Sequence, residues 1–295
     1  MEEHRNSALK GTGVALITPF KNDKVDFKSF ENLLKHTQDH VNYWLVNGTT
    51  AESVTVSDQE KAKLLAFAKE HNPRKLPLVY GVGGNHTKKI LEDLKNTDFD
   101  GVSAILSVSP YYNKPSQAGI VAHYTAVADA SPVPVILYNV PGRTSSNMTA
   151  STTLKLAEHP NIIGIKEASA NLAQALEIAK YKPADFLLIS GDDLVTLPMM
   201  AFGACGVISV LANAFTNFGQ IISLCAESKY EQASKILYEF VEINDLMYLE
   251  GNPVGIKQVL AFQKVIASPQ VRLPMVQASR GLQESIKKAI GKMKF

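Results

Sequence analysis

The sequence predicts an α/β fold, a closed (β/α)8 or TIM barrel followed by a C-terminal helical region. Three observations predict it. Eight short runs rich in Val, Ile and Leu recur as far as Val210. They alternate with segments whose apolar residues fall three and four apart, the helical period. Most of the runs are apolar without alternation, as strands are when both faces of a parallel sheet are buried. Eight alternations favour a closed barrel; an open doubly wound sheet, usually of about five or six strands, is the alternative.

Strands are expected at 13–19, 44–47, 78–82, 102–108, 133–139, 162–167, 186–190 and 207–210. Between them, Phe27, Phe30, Leu33 and Leu34, and later Leu64, Leu65, Phe67 and Ala68, mark apolar helix faces. Ser57 with Glu60 and Ser228 with Glu231 have the spacing of capping boxes, and Asn171 with Gln174 is a weaker version. After Val210 the strand signal stops, and helices are expected near 216–227, 229–248, 253–266 and 277–290. The barrel is therefore assigned to 1–228 and the helical region to 229–295. No low-complexity tract, repeat or linker interrupts the pattern.

Bulk properties fit a soluble globular chain. Its 295 residues are 45% hydrophobic and 20% charged, with a net charge of +2. That near-neutrality gives no reason to expect nucleic acid or an anionic membrane as partner. Lys287, Lys288, Lys292 and Lys294 alternate with apolar residues and read as the solvated face of a last helix. Cys205 and Cys225 have no CxxC spacing and read as small buried thiols. The start MEEHRNSALK lacks the apolar run of a secretory signal, and no stretch approaches the ~20 apolar residues of a membrane span, so a cytoplasmic location is expected.

In such a barrel the reactive groups lie at the C-terminal ends of strands and in the loops that follow. Lys166 closes an apolar run and shares parity with Ile162 and Gly164, so all three are expected on one side, with Gly164 leaving room for a substrate. Facing the interior, its ammonium would be desolvated toward the neutral amine, the nucleophile that condenses with a carbonyl. The alternative is a lysine that ends a strand and reaches solvent beside Glu167. Tyr138, with Ile136 below it, is placed to move protons if Thr49, Thr50 or Tyr112 hydrogen-bonds its phenol, and is otherwise a half-buried tyrosine. The hydroxyl-rich Gly48-Thr49-Thr50-Ala51-Glu52-Ser53 segment suits a carboxylate, or is a simple turn. Arg143 can hold a second carboxylate, or be an ordinary loop arginine. Gly81-Val82-Gly83-Gly84 fails the GxGxxG fingerprint, and GxxxxGK[ST] is absent. His36 and His40 read as a solvent-facing pair, since HExxH is missing. Asp192 and Asp193 read as caps of a helix over 194–204, so no metal is required.

In order and spacing, GTTAES, SPYYNKP, YNVPGRT, GIKEAS, SGDD and GVISV closely resemble the dihydrodipicolinate synthase family of pyruvate-dependent, class I aldolase-like lyases, over nearly the whole chain. The resemblance implies that Lys166 captures pyruvate as a Schiff base. Tyr138 would exchange protons at the imine, linked through Thr49 to Tyr112, a position that the family supplies from a neighbouring subunit. Thr50 and the backbone around Ile208 would hold pyruvate, Gly191 would line the pocket, and Arg143 would receive the carboxylate of aspartate 4-semialdehyde. It also implies a homotetramer built as a dimer of dimers, acting in the diaminopimelate route to lysine without metal or organic cofactor. A sugar-acid aldolase like N-acetylneuraminate lyase is the nearest alternative, with no need for Arg143; a catalytically idle barrel sensing a small molecule is a more distant one. One departure stands out. Ser53, Asn85 and Tyr111 match the family's lysine-inhibition site, but its His or Glu and its further Glu are replaced by Lys61 and Lys89. Two ammonium groups oppose a cationic effector, so weak or absent inhibition by lysine is expected.

Overall fold

The computed structural model describes residues 7–293. The eight barrel strands are Gly11–Ala15, Tyr43–Val46, Leu78–Gly81, Ala104–Val108, Val135–Asn139, Ile162–Glu167, Leu187–Ser190 and Gly206–Ser209. All pair in parallel with their chain neighbours, and the first closes the cylinder on the eighth in the register Gly11↔Gly206 to Val14↔Ser209. The open-sheet alternative is thereby excluded.

The side-chain period of two splits the strands between two cores. Tyr43, Leu45, Val79, Ala104, Leu106, Ile136, Tyr138, Leu187, Ile189 and Ile208 fill the lumen as one apolar cluster. Trp44, Val46, Leu78, Tyr80, Ile105, Val135, Leu137, Leu188 and Val207 face outward into a larger cluster shared with the helices. Glycine matches bulk across the lumen: a Cβ on Gly13 would lie 2.2 Å from the Tyr43 ring.

Local chemistry sets the helix ends. Ser57 and Glu60 form the expected reciprocal box before the helix Asp58–Glu70, and Asn171 accepts from the Gln174 amide before Leu172–Tyr181. The second expected box does not form. Ser228 adopts φ 59°, so Lys229 precedes the helix Tyr230–Glu239, and Glu231 turns to Lys235 at 2.9 Å. The helix expected over 229–248 breaks at Phe240, whose fully buried ring packs on Phe215 and Phe218, and resumes as Val241–Tyr248. Helices Val254–Phe262 and Arg280–Lys292 complete the region, and their apolar faces join the outer core. On the last helix Lys287, Lys288 and Lys292 are exposed, as expected; Lys294 lies outside the described residues.

Three further differences have physical causes. The first strand ends at Ala15 and not at 19, because the Ile17 amide bonds to the Asn213 side chain at 3.2 Å instead of to a neighbouring strand. An unexpected ribbon, Phe20–Lys21 with Lys24–Val25, turns through Asn22 and Asp23, both with positive φ, the demand of a two-residue hairpin. His36 is half-buried beside the Ala214 carbonyl, so only His40 faces solvent.

Among the described residues, no helix is long and apolar enough to cross a membrane and no His, Cys, Asp and Glu group could hold a metal ion.

Candidate active site

Lys166 sits near the C-terminal end of the sixth strand, paired in register with Tyr138 of the fifth. Its parity with Gly164 holds, but not with Ile162. A bulge places Ile136 opposite Gly164 after Val135 has paired with Ile162, which skips Ile163 and turns Ile162 to the outer core. Nor does Gly164 leave substrate room; a Cβ there would lie 2.7 Å from Leu187, which fills the space. The Lys166 side chain nonetheless points inward, 5% exposed, with its ammonium 4.6 Å from the Tyr138 ring centre. Burial pulls its pKa down to about 8, the buried Asp193 carboxylate holds it up, and the Arg143 cation pushes it further down.

Burial likewise raises the Tyr138 phenol, against Arg143 and a side-chain hydrogen bond with Thr49. Tyr138 therefore rests as a neutral phenol able to donate a proton. Thr49 and Thr50 come from a single tight turn, Thr49–Ala51, after the second strand. Gly48 is not needed there for left-handed backbone: its φ of −76° is ordinary, and Asn47 and Glu52 take positive φ instead. The Thr50 hydroxyl accepts from Asn252 Nδ2 at 3.0 Å.

These residues open into one cleft of about 460 Å3, lined by Thr49, Thr50, Tyr138, Arg143, Lys166 and Gly191 among others. Gly191 is required by crowding; a Cβ would lie 2.6 Å from Ala168 and 2.9 Å from Lys166 Cε. Arg143 lies on a four-residue helix, Pro141–Thr144, with Nη2 donating to the Asn252 carbonyl at 3.4 Å. Ile208 is buried in the lumen cluster with Tyr138 and does not line the cleft. Tyr112 is not brought to the cleft within this chain: it is 86% exposed, with φ 74°.

The two aspartates divide their work. Asp192 caps the turn before the helix Thr196–Ala201 through the Leu194 and Val195 amides. Asp193 does not cap it; its Oδ2 accepts from the Val210 and Leu211 amides at 3.1 and 3.0 Å and fixes the loop after the eighth strand. Burial pushes its carboxyl up to about 6.

Two groups of residues escape sequence reasoning. Asn244, Asp245, Tyr248, Leu249 and Asn252 close the cleft from the C-terminal region. Glu167 is buried and does not escort a lysine to solvent. It accepts from Asn139 Nδ2, from Gln174 Nε2 at 2.9 Å and from the Ser169 amide at 2.7 Å, behind the strands that carry Tyr138 and Lys166. The Asn139 and Glu167 codes beside Tyr138 and Lys166 were the available signal.

Residues 8–293 match the model of the dihydrodipicolinate synthetase family. A 4-hydroxy-tetrahydrodipicolinate synthase from Cytophaga hutchinsonii is 51% identical over 282 residues, 95% of each chain. One from Flavobacterium psychrophilum is 47% identical, covering 93% of this chain and 95% of the relative. The crystal structure of dihydrodipicolinate synthase from Thermotoga maritima superposes with a TM-score of 0.93 at 32% identity, covering 96% of this chain and 98% of that one.

Proposed function

This chain belongs to the dihydrodipicolinate synthetase family, and from that premise we propose that it is a 4-hydroxy-tetrahydrodipicolinate synthase, condensing pyruvate with aspartate 4-semialdehyde through an imine on Lys166. The single observation that carries the mechanism is a buried amine, pulled down to about 8, facing a neutral phenol in the cleft. The amine adds to the keto carbon of pyruvate. Tyr138 donates a proton to the departing hydroxyl, water leaves, and the iminium forms. As an electron sink the iminium acidifies the methyl group, whose proton loss gives an enamine. The enamine carbon bonds to the aldehyde carbon of the second substrate, and the amine of that substrate then displaces Lys166 and closes the ring. No external cofactor is needed for these steps. Thr49 holds the phenol, Thr50 takes the pyruvate carboxylate, and Gly191 leaves space for the lysine stem. Tyr112, exposed here, completes the proton path in the partner's site within a homotetramer.

Amine chemistry fixes the pH dependence. With a pKa of about 8, about a tenth of Lys166 is neutral at pH 7, against roughly three parts in ten thousand for an ordinary lysine. Cyanoborohydride trapping of the pyruvate imine should quicken about tenfold from pH 6 to 7 and level off above about 8. A rate still climbing at pH 10 would contradict it.

Arg143 supplies the choice of second substrate. A charge-assisted hydrogen bond to its carboxylate is worth about 1.5–3 kcal/mol, so Arg143→Ala should raise the KM for aspartate semialdehyde roughly 10- to 150-fold while pyruvate capture changes little. The functional test is turnover of pyruvate with aspartate semialdehyde beside a panel of 2-keto-3-deoxy acids. Faster turnover of the sugar acids would transfer the assignment to a sugar-acid aldolase.

Regulation should depart from the family pattern. Lys61 and Lys89 converge on Asp58 at 3.2 and 3.5 Å, and Lys89 also pairs with Asp93. The carboxylates offset part of the charge, yet two ammonium groups still occupy the place where a cationic effector needs acceptors. Initial rates should be unaffected by submillimolar lysine; half-inhibition in that range would overturn the expectation.

A further inference from the structure

Glu52 and Lys257 form an ion pair in which neither side chain is accessible to water. Lys257 also donates to the Gln270 carbonyl at 2.9 Å, with its ammonium 4.2 Å from the Phe20 ring centre. The second carboxylate oxygen of Glu52 accepts from the Arg272 amide at 2.9 Å. The Arg272 guanidinium in turn holds Glu60 through two bonds, at 2.9 and 2.7 Å, and the Thr55 carbonyl at 2.9 Å. Glu52 directly follows the turn that carries Thr49 and Thr50, and has φ 56°, a conformation that a residue with a side chain keeps only when its surroundings hold it.

The same C-terminal segment grips the turn a second time. Asn252, just before the helix Val254–Phe262 that carries Lys257, donates to the Thr50 hydroxyl at 3.0 Å. With one lone pair of Thr50 occupied by that amide, its own proton is free to donate to a ligand oxygen in the cleft. A buried ion pair is a poor stabiliser compared with apolar side chains of like volume, so thermal stability alone is a weak reason for one here. What the pair supplies is a fixed distance between two parts of the chain that are over 200 residues apart.

We infer that Glu52, Lys257 and Asn252 are positioning residues, tying the C-terminal helical region to the Thr49–Thr50 turn so that its hydroxyls stay aimed at the bound keto acid. This deepens the function proposed above and rests on its reading of Thr49 and Thr50.

The test uses the full chain and titrates pyruvate in the cyanoborohydride trapping reaction. Removing either charge alone strands the other, so the variant of choice is the neutral double replacement Glu52→Gln/Lys257→Met. It should fold, with a far-ultraviolet spectrum like the wild type, yet need roughly tenfold or more pyruvate for half-maximal trapping, the scale of one lost hydrogen bond to a charged group. A purely structural pair would lower the melting temperature and leave that concentration unchanged; a folded double variant with wild-type half-saturation overturns the inference. If the double variant does not fold, Asn252→Ala decides, since it removes the bond to Thr50 without stranding a charge. It should show a similar rise while still forming the Lys166 adduct at saturation, and wild-type half-saturation would overturn the inference. Wild-type protein that fails to trap pyruvate on Lys166 refutes the functional reading itself, and this inference with it; trapping in the wild type with unaltered variants refutes this inference alone.

Discussion

Lys166→Ala should lose at least about 10^3-fold in kcat/KM, without loss of fold. The side chain is an inward-facing amine that replaces no core apolar group, and Ala removes a buried ionisable head that burial disfavours. Without the amine, the pyruvate methyl proton has no iminium to acidify it, and no neighbouring group in the cleft can substitute. Lys257 is also pulled down to about 8 by burial, but it is committed to Glu52 and does not line the cleft. Steady-state assay with a melting curve checks the prediction. Turnover within tenfold of wild type by a folded Lys166→Ala protein would remove the covalent step.

Tyr138→Phe should keep the fold and lose about 10^2–10^4-fold in turnover, the range of one positioned proton donor. The ring is part of the lumen cluster with Ile136 and Ile208, so Phe retains the packing. Only the hydroxyl goes, and with it the hydrogen bond from the Thr49 turn and the proton for the leaving hydroxyl. The variant should still accumulate a borohydride-trappable species, more slowly than wild type. Near-wild-type kcat would take Tyr138 out of the proton path.

The barrel was legible because burial on both faces writes continuous apolar runs, and each of the eight runs overlaps a barrel strand. Tyr138 and Lys166 were legible because each ends such a run, where a polar residue can face the mouth. Strand parity misled at Ile162, since a bulge inserts one residue without leaving a composition signal. The Asn22-Asp23 hairpin lacks the glycine that usually marks so tight a turn. Ser228 and Glu231 have the right spacing, but a cap needs extended backbone at Ser228, which lies in the left-handed region. Asn244, Tyr248 and Asn252 were beyond sequence reasoning: helix periodicity reports which face is apolar, not which polar residue overhangs a cleft made by distant strands. Glu52 and Lys257 were hidden for the same reason, since two charges far apart in sequence carry no sign of being buried together.

The most direct measurement is borohydride reduction of the wild-type protein in the presence of pyruvate, followed by intact-mass and peptide analysis. A reachable amine at the mouth of the barrel, with its pKa pulled down to about 8, predicts one reduced pyruvyl group per chain, carried by the peptide that contains Lys166. No adduct, or an adduct on any other lysine, would contradict it.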